Sequence, residues 1–320
     1  MSEGYQALRH GAAWIDVSAR GRIEVRGRDR ARLLHNVASN EVKQMPPGAG
    51  CYAFLLTPRG RIEADLTLFA FEDHFVIDTE PDLREKVPQH IRRYIVADQV
   101  TLEDVTDTTC AVAVEGPQAA VVVAAIGAPV AGAEFRHEPW GECWVATISL
   151  TGQAGFRIYG RAEGIAELRH KLAAAGAVQA SDDEARRVRI ENGVPRYGED
   201  IRDTSLPQET GRMHAVSFTK GCYLGQEIVE RIRAQGHVNK KLVRLEIAVR
   251  ELLPPGTKLT ADGNEAGEIT SSVFSPESGR LVALAYLRAP LAETGALVNA
   301  AGVPAEVTGV VGPTGLGMTG

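Results

Sequence analysis

Apolar and polar positions alternate through much of the first part of the chain. RIEVRG (22–27) has the period-two pattern of a strand, and DRARLLHNVA (29–38) has the spacing of a helix. CYAFLL, RIEADLTLFAF and HFVID predict three more strands, with Pro58 and Gly60 marking the turn before Arg61. LREKVPQHIRRYI predicts a helix in which Pro88, lacking an N–H, must stand near an end or a kink. CAVAVEG predicts a strand and PQAAVVVAAI a helix entered through Pro117. ECWVATISL and GFRIYG flank a glycine turn at TGQAG, and IAELRHKLAAAG has helical spacing again. Ser181 followed by Glu184 spells a capping box, which predicts a helix starting near 182 and ended by Gly193 and Pro195.

The pattern changes after Gly236. KLVRLEIAV, GTKLTA, EAGEITSSVFS, RLVALAYLR, ALVNAA and VPAEVTGVV are short alternating runs separated by Gly, Pro or Asn turns. They predict a separate all-β domain, a small barrel over 237–320, after a mixed α and β region over 1–236. The tail GLGMTG spells GxGxxG from Gly315 to Gly320, but no helix follows, so it is not read as a nucleotide loop.

With 320 residues, 44% of them hydrophobic, the chain can bury a large core. Its 35 Lys and Arg against 41 Asp and Glu give a net charge of −6, which argues against general nucleic-acid coating and for a cytoplasmic protein. The opening MSEGYQALRHGAAWIDVS lacks the apolar stretch of a secretion signal. The uncharged run 119–133 is too short to span a bilayer and carries Gly127 and Pro129. Cys51, Cys110, Cys143 and Cys222 lie far apart in sequence with no CxxC pair. That spacing points to reduced thiols and away from a stable metal or cluster site within one chain.

KGCYLGQE (220–227) is the strongest chemical signal. It places Cys222 beside Gly221, two residues from Lys220 and just ahead of the helical pattern GQEIVERIRAQ. A lysine charge and unpaired helix N–H groups would both favour a thiolate, whereas a packed cysteine is the bland reading. Glu191, in RIENGVPRYGEDI, stands near a helix end before a turn expected to present Tyr197, Glu199 and Asp200. Its carboxylate suits a flat heterocycle with two adjacent N–H donors. RIRAQGHVNKKLVR holds Arg231, Arg233, Lys240, Lys241 and Arg244 with no acid, a local anion site for a carboxylate tail, a phosphate or RNA. The absence of interleaved aromatics weighs against RNA. Asp65 alternates with Ile62, Ala64, Leu66 and Leu68 and is expected on the opposite face from all four. Trp14, Trp140 and Trp144 are read as packing residues, and His214 and His237 flank the cysteine segment without fixing a geometry.

KGCYLGQE resembles the signature of the YgfZ branch of the aminomethyltransferase-like, folate-binding proteins. GRDRARLLHNVASNEV, RGRIEADL, VEGPQA, TGQAGF, RIENGVPRYGEDI, ITSSVFSP and VALAYL extend the similarity over nearly the whole chain. The resemblance implies an α+β fold in which two α/β modules and a C-terminal β-barrel surround a central channel holding tetrahydrofolate. It implies pterin contact by Glu191, with Asp65, Tyr197 and Arg231 as further folate contacts, and a motif comprising Gly221, Tyr223, Gly225, Gln226 and Glu227. Glycine-cleavage T-proteins usually carry paired aspartates where this chain has Ala64 and Asp65, and glutamates where it has Gln153 and Arg157. These departures, with the intact cysteine segment, point to a folate-binding accessory factor for assembly or repair of iron–sulfur enzymes. In that reading Cys222 does the thiol chemistry and Lys220 tunes it. The expected partners are folate and iron–sulfur enzymes or assembly proteins, with no membrane. A folate-dependent aminomethyltransferase and a non-catalytic folate-binding regulator are the alternatives.

Overall fold

A computed structural model describes residues 1–130 and 132–312. Two sheets and a closed barrel make up the fold, so it is α+β. The first sheet has the order Gly50–Leu56, Ile62–Ala70, His74–Thr79, Gly21–Arg26, Thr101–Asp104, with every pairing antiparallel. The second runs Val178–Gln179, Ala13–Asp16, Thr109–Glu115, Gly155–Arg161, Cys143–Thr147, His137–Trp140. Ala13–Asp16 lies parallel to Val178–Gln179 and antiparallel to Thr109–Glu115. The chain therefore starts in the second sheet, builds the first and returns, which interlocks the two modules.

The helix Glu3–His10 is absent from the pattern reading. It is eight residues long with polar Glu3, Gln6, Arg9 and His10, too short to hold itself in water. It forms because Tyr5, Ala7 and Leu8 are buried in a core that also contains Ala185 and Val188 of the helix Asp182–Glu191. That second helix carries the expected capping box, with the Ser181 hydroxyl and the Glu184 carboxylate each accepting from the other's backbone N–H. Pro88 stands third in the helix Lys86–Arg92, where its missing N–H falls among first-turn groups that have no intrahelical partner. The predicted helix after Pro117 spans Ala119–Ala125. Among the described residues no helix is long and apolar enough to cross a membrane.

The barrel closes in the order Lys240–Ile247, Arg280–Arg288, Asn264–Ser275, Lys258–Ala261, Leu297–Ala300, Val303–Val310. Alternate residues such as Val243, Leu245, Ile247, Ala283, Ala285 and Leu287 fill its interior, and closure leaves no open edge. Ile190 packs with Leu242, Val273, Val282, Leu284 and Tyr286 on the barrel's outer side. A buried polar knot joins the same parts: Asp200 pairs with Arg189 at 2.6 Å and accepts from the Thr270 and Ser271 hydroxyls at 2.7 Å each. The GLGMTG tail lies outside the described residues.

Candidate functional site

The pairing of Gly50–Leu56 with Ile62–Ala70 sets Tyr52 opposite Thr67 and Phe54 opposite Asp65. Directly paired residues share a face, so Tyr52, Thr67 and Asp65 project together. A bulge between Leu55 and Leu56 shifts the register, so Leu55 faces Ala64 but Leu56 faces Ile62. Ile62 consequently joins Tyr52, Phe54 and Leu56, while Ala64, Leu66 and Leu68 pack on the other side with Ala53 and Leu55. The expectation that Asp65 opposes all four apolar neighbours holds for three; the bulge moves Ile62 to its face.

Asp65 is 9% exposed. The Tyr52 hydroxyl donates to its Oδ2 at 2.7 Å, and Oδ1 is buried without a protein partner. Burial and the nearby Glu80 charge push this carboxyl up to about 6, against the pull of Tyr52, Arg20 and Arg212. It borders a cavity also lined by Arg20, Glu80, Phe135, Arg196 and Arg212. The other buried acids here are neutralised. Asp78 pairs with Arg20 at 2.7 Å and Arg157 at 3.0 Å, accepts from Tyr159 at 2.8 Å, and sits at about 2, its arginines outweighing its burial. Glu80 is held below the ordinary carboxylate range by Arg20 and Arg196, again against burial. Environments that drive neighbouring carboxyls apart divide their roles: Asp78 and Glu80 are fixed anions, and Asp65 is left to exchange a proton or to meet a ligand cation.

Two groups to which the sequence assigned no place surround Tyr52: Arg212, which lines the cavity, and His214, which stacks against Tyr52 outside the lining residues. The Arg212 guanidinium lies 5.3 Å from the Tyr52 ring centre. His214 stacks on Tyr52 at 5.4 Å, 24° from parallel, and lies within 13° of parallel to Phe135 at 6.4 Å. Both His214 ring nitrogens are buried without partners, and burial with the Arg212 charge pushes the imidazole down to about 3, so it is neutral near pH 7. Of these unpartnered buried atoms, Asp65 Oδ1 belongs to a residue lining the cavity and is the one a bound heterocycle could satisfy. GRMHAV carries no motif, and only folding against Tyr52 reveals it.

Glu191 is buried at the end of its helix, where the Tyr5 hydroxyl lies 3.0 Å from both carboxylate oxygens, and it is not among the residues lining the Asp65 cavity. Tyr197 donates its hydroxyl to the Glu63 carbonyl at 2.7 Å and receives Lys86 Nζ at 3.4 Å. Glu199 and Asp200 are not presented by their turn as expected: Glu199 pairs with Arg186 and Arg189, and Asp200 is wholly buried in the knot to the barrel. Arg231 is exposed on the helix Gln226–Gln235. The basic run does not converge on one anion site: Arg233 covers Phe218, Lys240 covers Tyr286, and Arg244 pairs with Glu246 at 2.9 Å.

In KGCYLGQE, Lys220 is 7% exposed, and its ammonium donates to the carbonyls of His35, Ala38 at 2.6 Å and Asn40 at 2.8 Å. It caps the C-terminal end of the helix Arg30–Val37, where free carbonyls collect. Burial brings it down to about 8, and the thiol whose charge acts on it is Cys51. The expected tuning of Cys222 by Lys220 is thus replaced by a cap, because three carbonyls hold the ammonium. The following helix starts at Gln226, four residues past Cys222, with Tyr223, Leu224 and the cap Gly225 between. Cys222 is exposed, with open space around Gly221. Tyr223 is buried beside Val229 and Ala215, its N–H reaching the Gln226 side chain at 3.3 Å, and Glu227 is exposed.

Comparison with known proteins follows the same architecture. Residues 1–220 match the GCVT N-terminal domain, and residues 240–312 match the glycine cleavage T-protein C-terminal barrel domain. An aminomethyltransferase of Rubrobacter xylanophilus is 30% identical over 312 residues, covering 95% of this chain and 83% of that protein. One of Nostoc sp. is 27% identical, covering 91% and 81%. The crystal structure of the glycine cleavage system aminomethyltransferase T from Bartonella henselae superposes with a TM-score of 0.86 at 22% identity, covering 98% of this chain and 88% of that one.

Proposed function

We propose, since this chain belongs to the glycine cleavage T-protein family, that it binds a reduced folate in the Asp65 cavity and transfers a one-carbon unit to or from it. One observation carries the reading: a buried carboxyl near 6, with one oxygen on Tyr52 and the other free, facing a cavity in which the neighbouring Glu80 is neutralised by Arg20 and Arg196. A folate nitrogen becomes cationic as it gains or releases a one-carbon unit. A carboxylate already in place stabilises that charge without reorganisation. Tyr52 and Phe135, both lining the cavity, offer aromatic surface for the flat ring. The names of the relatives favour transfer over the accessory role ranked first from the sequence.

Arg157, where T-proteins usually carry a glutamate, is committed to Asp78. The one-carbon donor is therefore left open, and an aminomethyl-lipoyl carrier is one candidate. Calorimetric titration with tetrahydrofolate tests the binding: Asp65→Asn should weaken it at least about tenfold, or ~1.4 kcal/mol. No binding by the unaltered protein overturns the proposal. Production of methylenetetrahydrofolate from an aminomethyl carrier tests transfer.

The accessory role in iron–sulfur maturation is a second reading, supported by the exposed Cys222 thiol outside the cavity lining. It predicts that Cys222→Ala fails to restore cluster-dependent enzyme activity in cells lacking the protein. Full restoration removes the thiol from the account.

A further inference from the structure

Cys110 and Cys143 are 33 residues apart in sequence but share one row of the second sheet. Cys110, in Thr109–Glu115, pairs with Gly160, in Gly155–Arg161. The next strand pairs Trp144 with Tyr159, which brings Cys143 to the other side of Gly160. Gly160 has no side chain, and the two sulfurs lean into the gap. A Cβ built on Gly160 would lie 2.8 Å from Cys143 Sγ and 3.8 Å from Cys110 Sγ.

The pair is not arranged as a disulfide. Neighbouring strands are about 4.8 Å apart, so these residues, two strands apart, exceed the about 7 Å that a disulfide bridges without backbone movement. The gap does suit an atom between the sulfurs. They stand at most about 6.6 Å apart, and a linear S–metal–S unit with bonds of about 2.3 Å spans about 4.6 Å. Among the described residues no group of three or more His, Cys, Asp or Glu is placed to hold a metal ion. A tetrahedral zinc site is therefore not formed here, and thiolate ligands alone select soft ions. Cys143 lines a surface depression with Trp140, Glu142, Glu163 and Lys171, which gives an entry path, while Cys110 is buried behind it and donates its thiol to the Arg161 carbonyl at 3.3 Å.

We propose that Cys110 and Cys143 form a two-coordinate site for a soft monovalent d10 ion, cuprous copper by chemical class, seated over Gly160. Binding converts two thiols and one cuprous ion into a linear bis-thiolate with release of two protons; nothing is oxidised or reduced.

The test uses the full chain with Cys222→Ser, which removes the exposed thiol, and silver(I) as a redox-inert probe in competition with a chromophoric chelator. The expected result is one ion per chain, with Cys143→Ser lowering affinity about 100-fold or more. Gly160→Ala keeps both thiols but fills the gap and should also abolish binding, with circular dichroism confirming that it folds. X-ray absorption should show two sulfur neighbours. Undiminished binding in Cys143→Ser, loss caused by Cys51→Ser instead, or one ion shared between two chains each overturns the site.

Discussion

Asp65 shows how much one side chain takes from its surroundings. Its folded carboxyl lies near 6, above the ordinary 3.8, so the stability it contributes is fully present below about 3.8 and is lost as pH rises through about 6. Asp65→Asn removes the buried charge while retaining an acceptor for Tyr52. Its melting temperature should match the parent at pH 4 and exceed it at pH 8, checked by calorimetry at both. Lys220 makes the opposite point, since a residue expected to tune a thiol is a cap on three carbonyls. Lys220→Met should destabilise the protein by about 2–4 kcal/mol through unsatisfied buried acceptors. It should leave the alkylation rate of Cys222 unchanged, which thiol-modification kinetics would show. A carboxylate on an alternating strand was legible in the sequence. Its opposition to Ala64, Leu66 and Leu68 was legible too, but the place of Ile62 on its own face was not, because a single bulge decides it.

Among the elements, the helix Asp182–Glu191 was the most legible, because its start is written locally in Ser181 and Glu184. The KGCYLGQE turn was less so. Its Gly225 has φ +82, and a Cβ there would meet the Thr57 carbonyl at 2.6 Å, so the glycine serves both conformation and close approach to the hairpin before Ile62. Gly225→Ala should cost more than the ~1 kcal/mol of a simple Gly exchange. Hydrogen exchange should show faster opening of Gln226–Gln235 and of the Thr57–Gly60 turn together. The helix Glu3–His10 had no adequate local signal, since its short apolar stripe acquires meaning only against the partner it covers.

Over the whole molecule, the barrel and the sheets are held as one body by the contact of Ile190 with barrel residues and by the Asp200 knot. Asp200→Ala leaves Arg189 buried beside one carboxylate instead of two, frees the Ser271 hydroxyl and leaves that of Thr270 only the Leu284 carbonyl. Breaking such a buried pair costs about 3–5 kcal/mol. Limited proteolysis should then cut near Gly236, and thermal unfolding should split into two transitions where the parent shows one. The sequence by itself determined most strands, most helices, the barrel after Gly236 and the family resemblance, because period, caps and turn residues act over a few neighbours. The tertiary structure decided that Ala13–Asp16 belongs to the second sheet, that Asp65 shares a cavity with Tyr52, Arg212 and Phe135, and that Glu191 turns to Tyr5. It also decided that Cys110 and Cys143 meet over Gly160. These outcomes depend on register and on packing between segments distant along the chain, and local pattern does not encode which distant surface a side chain will meet.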